Sequence, residues 1–403
     1  MVAHLPVPAL APGAWLGVLG GGQLGRMFCT AAQTLGYRVC VLDPDTNSPA
    51  GAVADRHIQA QYLDPVALDE MAGLCSAITT EFENVPAAAL DRLAANRIVA
   101  PAGRCVAIAQ DRMAEKSFMV NCGLRVAPYH EIRSPEDLAG AHPSLYPGIL
   151  KAARLGYDGK GQFRVADLAE AVLAFQQLGG VPCVLEQRVN LALELSAVVA
   201  RGFDGQCVSF PIAENEHRDG ILARSLVPAR VAQEVAWHAS QAAQRVAESM
   251  NYVGVLCVEF FLLADGGLLV NEMAPRPHNS GHWSIDACVS SQFEQQVRVL
   301  AGLPLGSVRQ FESVVMLNLM GDLWFERPGA QAREPDWPGL LAHPDAKLHL
   351  YGKAQARPAR KMGHVTVLAD SVEEALHEAV LIERQIGISP GSGRAPAAGA
   401  DAA

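Results

Sequence analysis

The sequence predicts a parallel α/β domain of Rossmann type, then a small α+β unit, then a larger mixed-sheet domain. Three observations predict it. Apolar and helix-like runs alternate over residues 15–101. A glycine-rich loop, LGYDGKGQ, sits inside a short series of strands between 125 and 190. From residue 190 the apolar runs lengthen and pair as hairpins.

In order along the chain, WLGVLG, YRVCVLD, AITTEF and RIVAP read as buried strands, with helices over 23–35, 64–75 and 86–95 between them. The pattern is helical from 103 to 125 and stops at Gly123. VAPYHEI, YPGILKAA, GQFRVA and CVLEQRV follow as strands, separated by a helix capped by Ser134 and another over 167–178. LELSAVVA and CVSFPIA flank the turn RGFDGQ. A helix over 231–250 leads to a second hairpin, VGVLCVEFFLLADGGLLVNEMAPRP. A helix over 284–301, the strands SVVMLNLMG, KLHLYGK and KMGHVTVLA, and a helix from 371 to about 387 complete the pattern. The expected divisions are 1–105, 106–190, 191–390 and a disordered, small-residue-rich tail over 391–403.

A chain of 403 residues has room for two or three such domains. Its net charge of -10 argues against nucleic acid or a membrane surface as partner, while leaving room for a phosphorylated small molecule held by a local basic cluster. The nine cysteines form no C-x-x-C and mostly sit in apolar runs, as thiols do in a reducing compartment. Residues 1–13 carry no Lys or Arg, and no apolar stretch is long enough to span a bilayer, so the expectation is a cytoplasmic protein.

LGVLGGGQLGRM carries Gly20, Gly22 and Gly25 at the G-x-G-x-x-G spacing, and Asp43 closes the next strand. Taken alone, this is a dinucleotide fingerprint and keeps a nicotinamide-dependent oxidoreductase open. Pro44 follows Asp43, which favours a strand-end turn role for that acid.

The second hairpin is more informative. If Asp265-Gly266 is a two-residue turn, Glu259 stands directly opposite Glu272, with Cβ atoms about 5 Å apart. Two carboxylates in apolar strands repel each other and lose hydration. Either a hard cation such as Mg²⁺ compensates, with Asn271 as a further oxygen, or one carboxyl keeps its proton. A bulge near Gly267 would shift this pairing. Pro275 ends the strand, and Arg276 and His278 follow at its mouth. In KAARLGYDGKGQ, Lys151 ends a strand, and Gly156, Gly159 and Gly161 leave a loop able to lay its amides on phosphate oxygens. Gln162 replaces the Lys-Ser/Thr of a Walker motif.

DRMAEKSF, LKAARLGYDGKGQ, VLEQRV, LELS, ENEHRDGI, CVEFF and LVNEMAPRPHNSGHW together resemble the ATP-grasp enzymes. With GGGQLGRM, TTEFENV, YGK and RKMGH, the resemblance runs from about 15 to 385 and is nearest to the 5-(carboxyamino)imidazole ribonucleotide synthases. It implies an ATP-grasp fold with a pre-ATP-grasp N-terminal domain. It implies that ATP and bicarbonate form carboxyphosphate, which carboxylates 5-aminoimidazole ribonucleotide. By likeness, Arg112 and Lys151 hold the triphosphate, and the loop Gly156, Tyr157, Asp158, Gly159, Lys160, Gly161, Gln162 closes over it. Glu186, Gln187, Arg188 and Val189 meet adenine, Glu194 the ribose, and His217 the phosphates. Glu259 and Glu272 hold Mg²⁺ beside Asn271. Arg276, His278 and Asp158 serve catalysis.

The likeness also gives the ribonucleotide Gln23, Glu81 or Glu83, and the helix N-terminus at Gln23, with Lys353, Arg360 and Lys361 on its phosphate. It implies a homodimer. The run Ala152, Ala153, Arg154, Leu155 after Lys151 departs from the family's more basic or smaller lid strand. Another ATP-grasp carboxylate–amine ligase and the oxidoreductase are the alternatives. The paired late segments YGK and RKMGH favour the synthase.

Overall fold

The computed structural model describes residues 8–156, 161–327 and 329–388. The first sheet is five-stranded and parallel, in the order β3-β2-β1-β4-β5. Its strands are β1 (Trp15–Leu19), β2 (Arg38–Leu42), β3 (Arg56–Ile58), β4 (Ala77–Thr80) and β5 (Ile98–Val99). Helices α1 (Gln23–Thr34), α2 (Pro65–Leu74) and α3 (Ala87–Ala94) connect them. β1, β2 and β4 are buried almost throughout, which explains their near-continuous apolar sequences. β3 was not foreseen: three residues, one of them Arg56, carry no period.

The helical stretch after residue 103 is two helices, α4 (Gly103–Ala109) and α5 (Arg112–Asn121). Asp111 divides them, since its Oδ1 accepts the Met113 amide at 3.0 Å and so starts a new helix. The small sheet follows, in the order β6-β9-β7-β8: β6 (Tyr129–Ile132), β7 (Gly148–Ala152), β8 (Gln162–Val165) and β9 (Cys183–Gln187). It is covered by α6 (Pro135–Gly140) and α7 (Leu168–Gln177). The expectations for Tyr157, Asp158, Gly159, Lys160 and the tail over 391–403 lie outside the described residues.

The largest sheet has nine strands: β10 (Leu191–Arg201), β11 (Cys207–Ser209), β12 (Ala213–Arg218), β13 (Ile221–Val227), β14 (Gly254–Leu263), β15 (Leu268–Ala274), β16 (Ser313–Met320), β17 (Ala346–Leu350) and β18 (Lys361–Ala369). Helices α8 (Gln233–Ser249) and α12 (Val372–Ile386) pack on it. The β12–β13 hairpin was missed. Its turn is Asp219-Gly220, both left-handed, the two-residue signal the sequence displayed at RDGI.

The helix expected over 284–301 is broken into α9 (Ser284–Ala287) and α10 (Gln292–Leu300); Ser291 caps the latter. α11 (Trp337–Leu341) is short and lies between β16 and β17.

The β14–β15 turn differs from the expected one. Ala264, Asp265 and Gly266 form it, closed by the Leu263 amide on the Gly267 carbonyl at 2.8 Å. A bulge at Asn271 then shifts the ladder back, so that Phe260 faces Val270 while Glu259 faces Glu272. The predicted pair survives because two one-residue departures cancel.

Candidate active site

The glycine turn between β1 and α1 holds one of the chain's own side chains. Gly20 has φ +104, and a Cβ there would lie 2.4 Å from Glu81 Cγ; one on Gly22 would lie 2.5 Å from Glu81 Oε1. Glu81, just past β4, accepts the Gly22 amide and, at 2.7 Å, the Gly25 amide. Asp43 braces the same turn: its Oδ2 accepts from the Gly21 amide at 2.7 Å and the Tyr62 hydroxyl at 2.6 Å. Glu81 thus takes two amides of the turn and helix start, while Gly21, Gly22, Gln23 and Leu24 line the adjoining cleft. Burial pushes the Glu81 carboxyl up despite these amides.

A cleft of about 610 Å³ lies between this turn and the β14–β15 hairpin. Gln23, Glu81 and Glu83 line one side, and Arg112 and Gly156 another. Glu259, Glu272, Arg276 and His278 form the inner wall, with Lys353, Arg360 and Lys361 opposite. Residues from six separate segments thus converge on one cavity.

Glu83 has a partner within the chain. It is bonded to the Arg276 guanidinium, and that partner holds its carboxyl below the usual range against the opposing effect of burial. Glu83 Oε2 is thus bonded to Arg276, and the residue lines the cleft. Lys353 Nζ donates to the Lys361 carbonyl at 2.6 Å, which fixes the loop's cations relative to each other.

The carboxylate pair is asymmetric. Arg112 Nη1 meets Glu272 Oε2 at 2.9 Å; Arg112 and Lys151 together hold Glu272 down, against burial. Burial and the facing Glu272 charge push Glu259 up to about 7, with His278 Nε2 3.3 Å away. Asn271 Oδ1, freed by the bulge, is buried without a hydrogen-bond partner. Two mutually repelling carboxylates set face to face fit a hard divalent cation. His278 is largely enclosed, and burial followed by the Arg276 charge keeps its imidazole neutral, well below the ordinary range.

The remaining candidates do not line this cleft. Lys151 Nζ sits 3.0 Å from Glu186 Oε2, and Lys116 Nζ 3.1 Å from Glu186 Oε1. These cations overcome burial and bring Glu186 down to about 2. The Gln187 and Arg188 amides are taken by the Pro128 and Pro147 carbonyls, at 2.8 and 3.0 Å, so contacts to a base through this stretch fall to its other atoms, Val189 included. Gln162 stands opposite Lys151, and the Gly161 carbonyl accepts the Ala152 amide at 2.8 Å. His217 Nδ1 lies 2.8 Å from Glu194 Oε2; the pair raises the His217 imidazole although burial opposes it.

Sequence reasoning missed Lys116 and Glu115. Lys116 follows Arg112 by four residues and so shares its helix face, a signal that was present. Glu115 is buried, accepts the Met273 amide at 2.6 Å, and is pushed up to about 8 by burial and by Glu272.

Three families match consecutive stretches: the ribonucleotide synthetase preATP-grasp domain over 14–110, the ATP-grasp domain over 117–293, and the phosphoribosylaminoimidazole carboxylase C-terminal domain over 314–378. The N5-carboxyaminoimidazole ribonucleotide synthase of Brucella melitensis is 47% identical over 361 residues, covering 89% of this chain and 97% of its own. The chain belongs to the N5-carboxyaminoimidazole ribonucleotide synthase family.

The synthase of Bacillus subtilis is 42% identical over 368 residues, covering 91% of this chain and 94% of its own. Among solved structures, the Aspergillus clavatus synthase in complex with ADP and 5-aminoimidazole ribonucleotide superposes with a TM-score of 0.84. It is 31% identical and covers 93% of this chain and 99% of its own. The ATP-grasp fold with its preATP-grasp N-terminal domain is thereby established, and the chain is an ADP-forming, ATP-dependent ligase of this family. The oxidoreductase alternative falls with it. No helix among the described residues is long and apolar enough to cross a membrane.

Proposed function

We propose that the cleft carries out the family's reaction: ATP and bicarbonate give carboxyphosphate and ADP, and the exocyclic amine of 5-aminoimidazole ribonucleotide takes the carboxyl group, releasing phosphate. The product is 5-(carboxyamino)imidazole ribonucleotide, an intermediate of purine biosynthesis. One observation carries the residue assignment. The Glu259–Glu272 pair and the Lys353–Arg360–Lys361 cluster line one cavity together with Arg276 and His278.

Each role follows from charge and position. Arg112 and Lys151 are cations that would neutralise the triphosphate as it breaks. Both are paired with carboxylates, Glu272 and Glu186, so they stay pre-aimed without the nucleotide. Glu186 to Val189 would meet the adenine, Glu194 the ribose, and His217 the phosphates. Glu259 and Glu272, with Asn271 next in sequence, would hold Mg²⁺, which would offset the negative charge of the phosphates.

Arg276 stays charged beside Glu83 and can hold the bicarbonate oxygens and the carboxyphosphate they become. His278, neutral at the same wall, can take a proton from the attacking amine. Gln23 would contact the imidazole or ribose; Lys353, Arg360 and Lys361 would hold the 5′-phosphate. Glu81 would act through the turn it organises. Carboxyphosphate hydrolyses in water, and the 156–162 loop, Asp158 included, is the candidate lid.

We further propose a cytoplasmic homodimer. All nine cysteines are free and seven are buried, which suits a reducing compartment; the dimer rests on likeness alone. The test is ADP release with labelled bicarbonate. Release should rise strongly on adding the ribonucleotide, with label entering an acid-labile product; equal rates with and without it would refute the assignment.

A further inference from the structure

Helix α10 carries three buried glutamines on one face, at 292, 295 and 296, with 0%, 0% and 5% exposure. Buried amides are costly unless bonded, and each of these is bonded to a different part of the chain. Gln292 clamps the His278 backbone from both sides: its Oε1 accepts the His278 amide at 2.9 Å and its Nε2 donates to the His278 carbonyl at 2.8 Å. The same Nε2 meets His282 Nδ1 at 3.1 Å. Gln295 makes a like clamp on Gly306. Gln296 Nε2 reaches β4, with Thr79 Oγ1 at 3.1 Å and the Thr80 carbonyl at 3.4 Å. Glu81 follows Thr80 directly.

An adjoining side of α10, with the residue after it, belongs to another core. Val297, Leu300 and Ala301 pack among Leu16, Val18, Phe28 and Ala32 of the first sheet and its helix. A helix that follows the active-site hairpin in sequence is therefore built into the N-terminal sheet. It touches both walls of the cleft but lines neither.

We infer that Gln296 and Gln292 are positioning residues that set the register between the glycine-turn wall, carrying Glu81 and Glu83, and the wall carrying Arg276 and His278. The inference rests on the functional reading above. Neither side chain reaches substrate. Gln296 anchors the strand end from which Glu81 and Glu83 project, and Gln292 anchors the backbone of His278, one turn away on the same helix. The Glu83–Arg276 pair closes the circuit across the cavity.

The test uses the full chain with three substitutions: Gln296→Met, which keeps the length and removes the donor; Thr79→Val, which removes only the acceptor hydroxyl; and Thr79→Ser, which restores it. The first two should raise KM for aminoimidazole ribonucleotide by about tenfold while KM for ATP moves less than about twofold, and Thr79→Ser should return it. Hydrogen exchange should quicken in 276–282 as well as 79–83, although residues 79 and 296 touch only the latter. KM values that move together or not at all, or faster exchange confined to 79–83, would overturn the inference. Should Gln296→Met fail to fold, the Thr79 pair decides alone. If the parent protein gains no ADP release from the ribonucleotide, the functional reading is at fault, and the exchange measurement still decides whether α10 couples the two walls.

Discussion

Glu81 accepts the Gly25 amide at 2.7 Å across the turn that joins β1 to α1, and this contact explains why the turn is made of glycines. Gly20 must tolerate φ +104 and must also leave room for the Glu81 stem. Gly13 has a similar φ of +90 but open space around it. Gly20→Ala should therefore destabilise the fold by about 2–4 kcal/mol, and Gly13→Ala by only about 1 kcal/mol. Urea unfolding of the two variants measures the difference. Equal losses would mean that the carboxylate contact contributes nothing.

Much of this architecture was legible because its elements keep clean periods. The five-stranded sheet was read to within one short strand, and the α5 cap Asp111 and the turn residues Asp219-Gly220 were visible though unused. The site was legible where chemistry forces a pair, as at Glu259 and Glu272. It was not legible where a residue's role depends on what another side chain already occupies. The bonds that tie Glu81 to the turn amides and Glu83 to Arg276 are of this kind, since a sequence does not display them. Gln292 and Gln296 were invisible for a related reason: an amphipathic helix with glutamines on one face reads as a solvated face, and only packing against two lobes buries it.

Lys353 lies across the cleft from the carboxylate pair, with its ammonium bonded to the Lys361 carbonyl and 5.6 Å over the Tyr351 ring. Lys353, Arg360 and Lys361 bring three cations to the cleft, where the proposed reaction needs a seat for the 5′-phosphate. Lys353→Ala should raise the ribonucleotide KM by roughly 10–100-fold and leave that for ATP within about twofold. Steady-state kinetics with each substrate varied in turn checks this. The reverse ordering would relocate the phosphate site.

Glu83 and Arg276 are both largely enclosed, with side-chain exposures of 24% and 16%. Removing one partner strands the other's charge, at a cost on the order of 3 kcal/mol. Glu83→Gln should thus lower both stability and kcat, and Arg276→Ala should do the same. The double variant should be no worse in stability than either single one. Thermal unfolding of the four proteins gives the coupling, and strict additivity would show that the pair does not act as a unit.

The asymmetric carboxylates give a pH signature to metal binding. Glu259 is held at about 7 in the metal-free protein, above its ordinary 4.5. A carboxyl raised on folding contributes stability that is complete below about 4.5 and lost as pH climbs through about 7. Glu115, pushed up to about 8, acts in the same direction at slightly higher pH. The metal-free protein should therefore lose up to about 3 kcal/mol across this window through Glu259, and Glu259→Gln should flatten that part of the curve. Mg²⁺ with ATP needs the ionised carboxylate, so its binding near pH 6 should release close to one proton and near pH 8.5 almost none. Calorimetry in buffers of different ionisation enthalpy counts those protons directly. Proton release that does not change with pH, or that persists in Glu259→Gln, would take Glu259 out of the metal site and leave the cation to Glu272 and Asn271 alone.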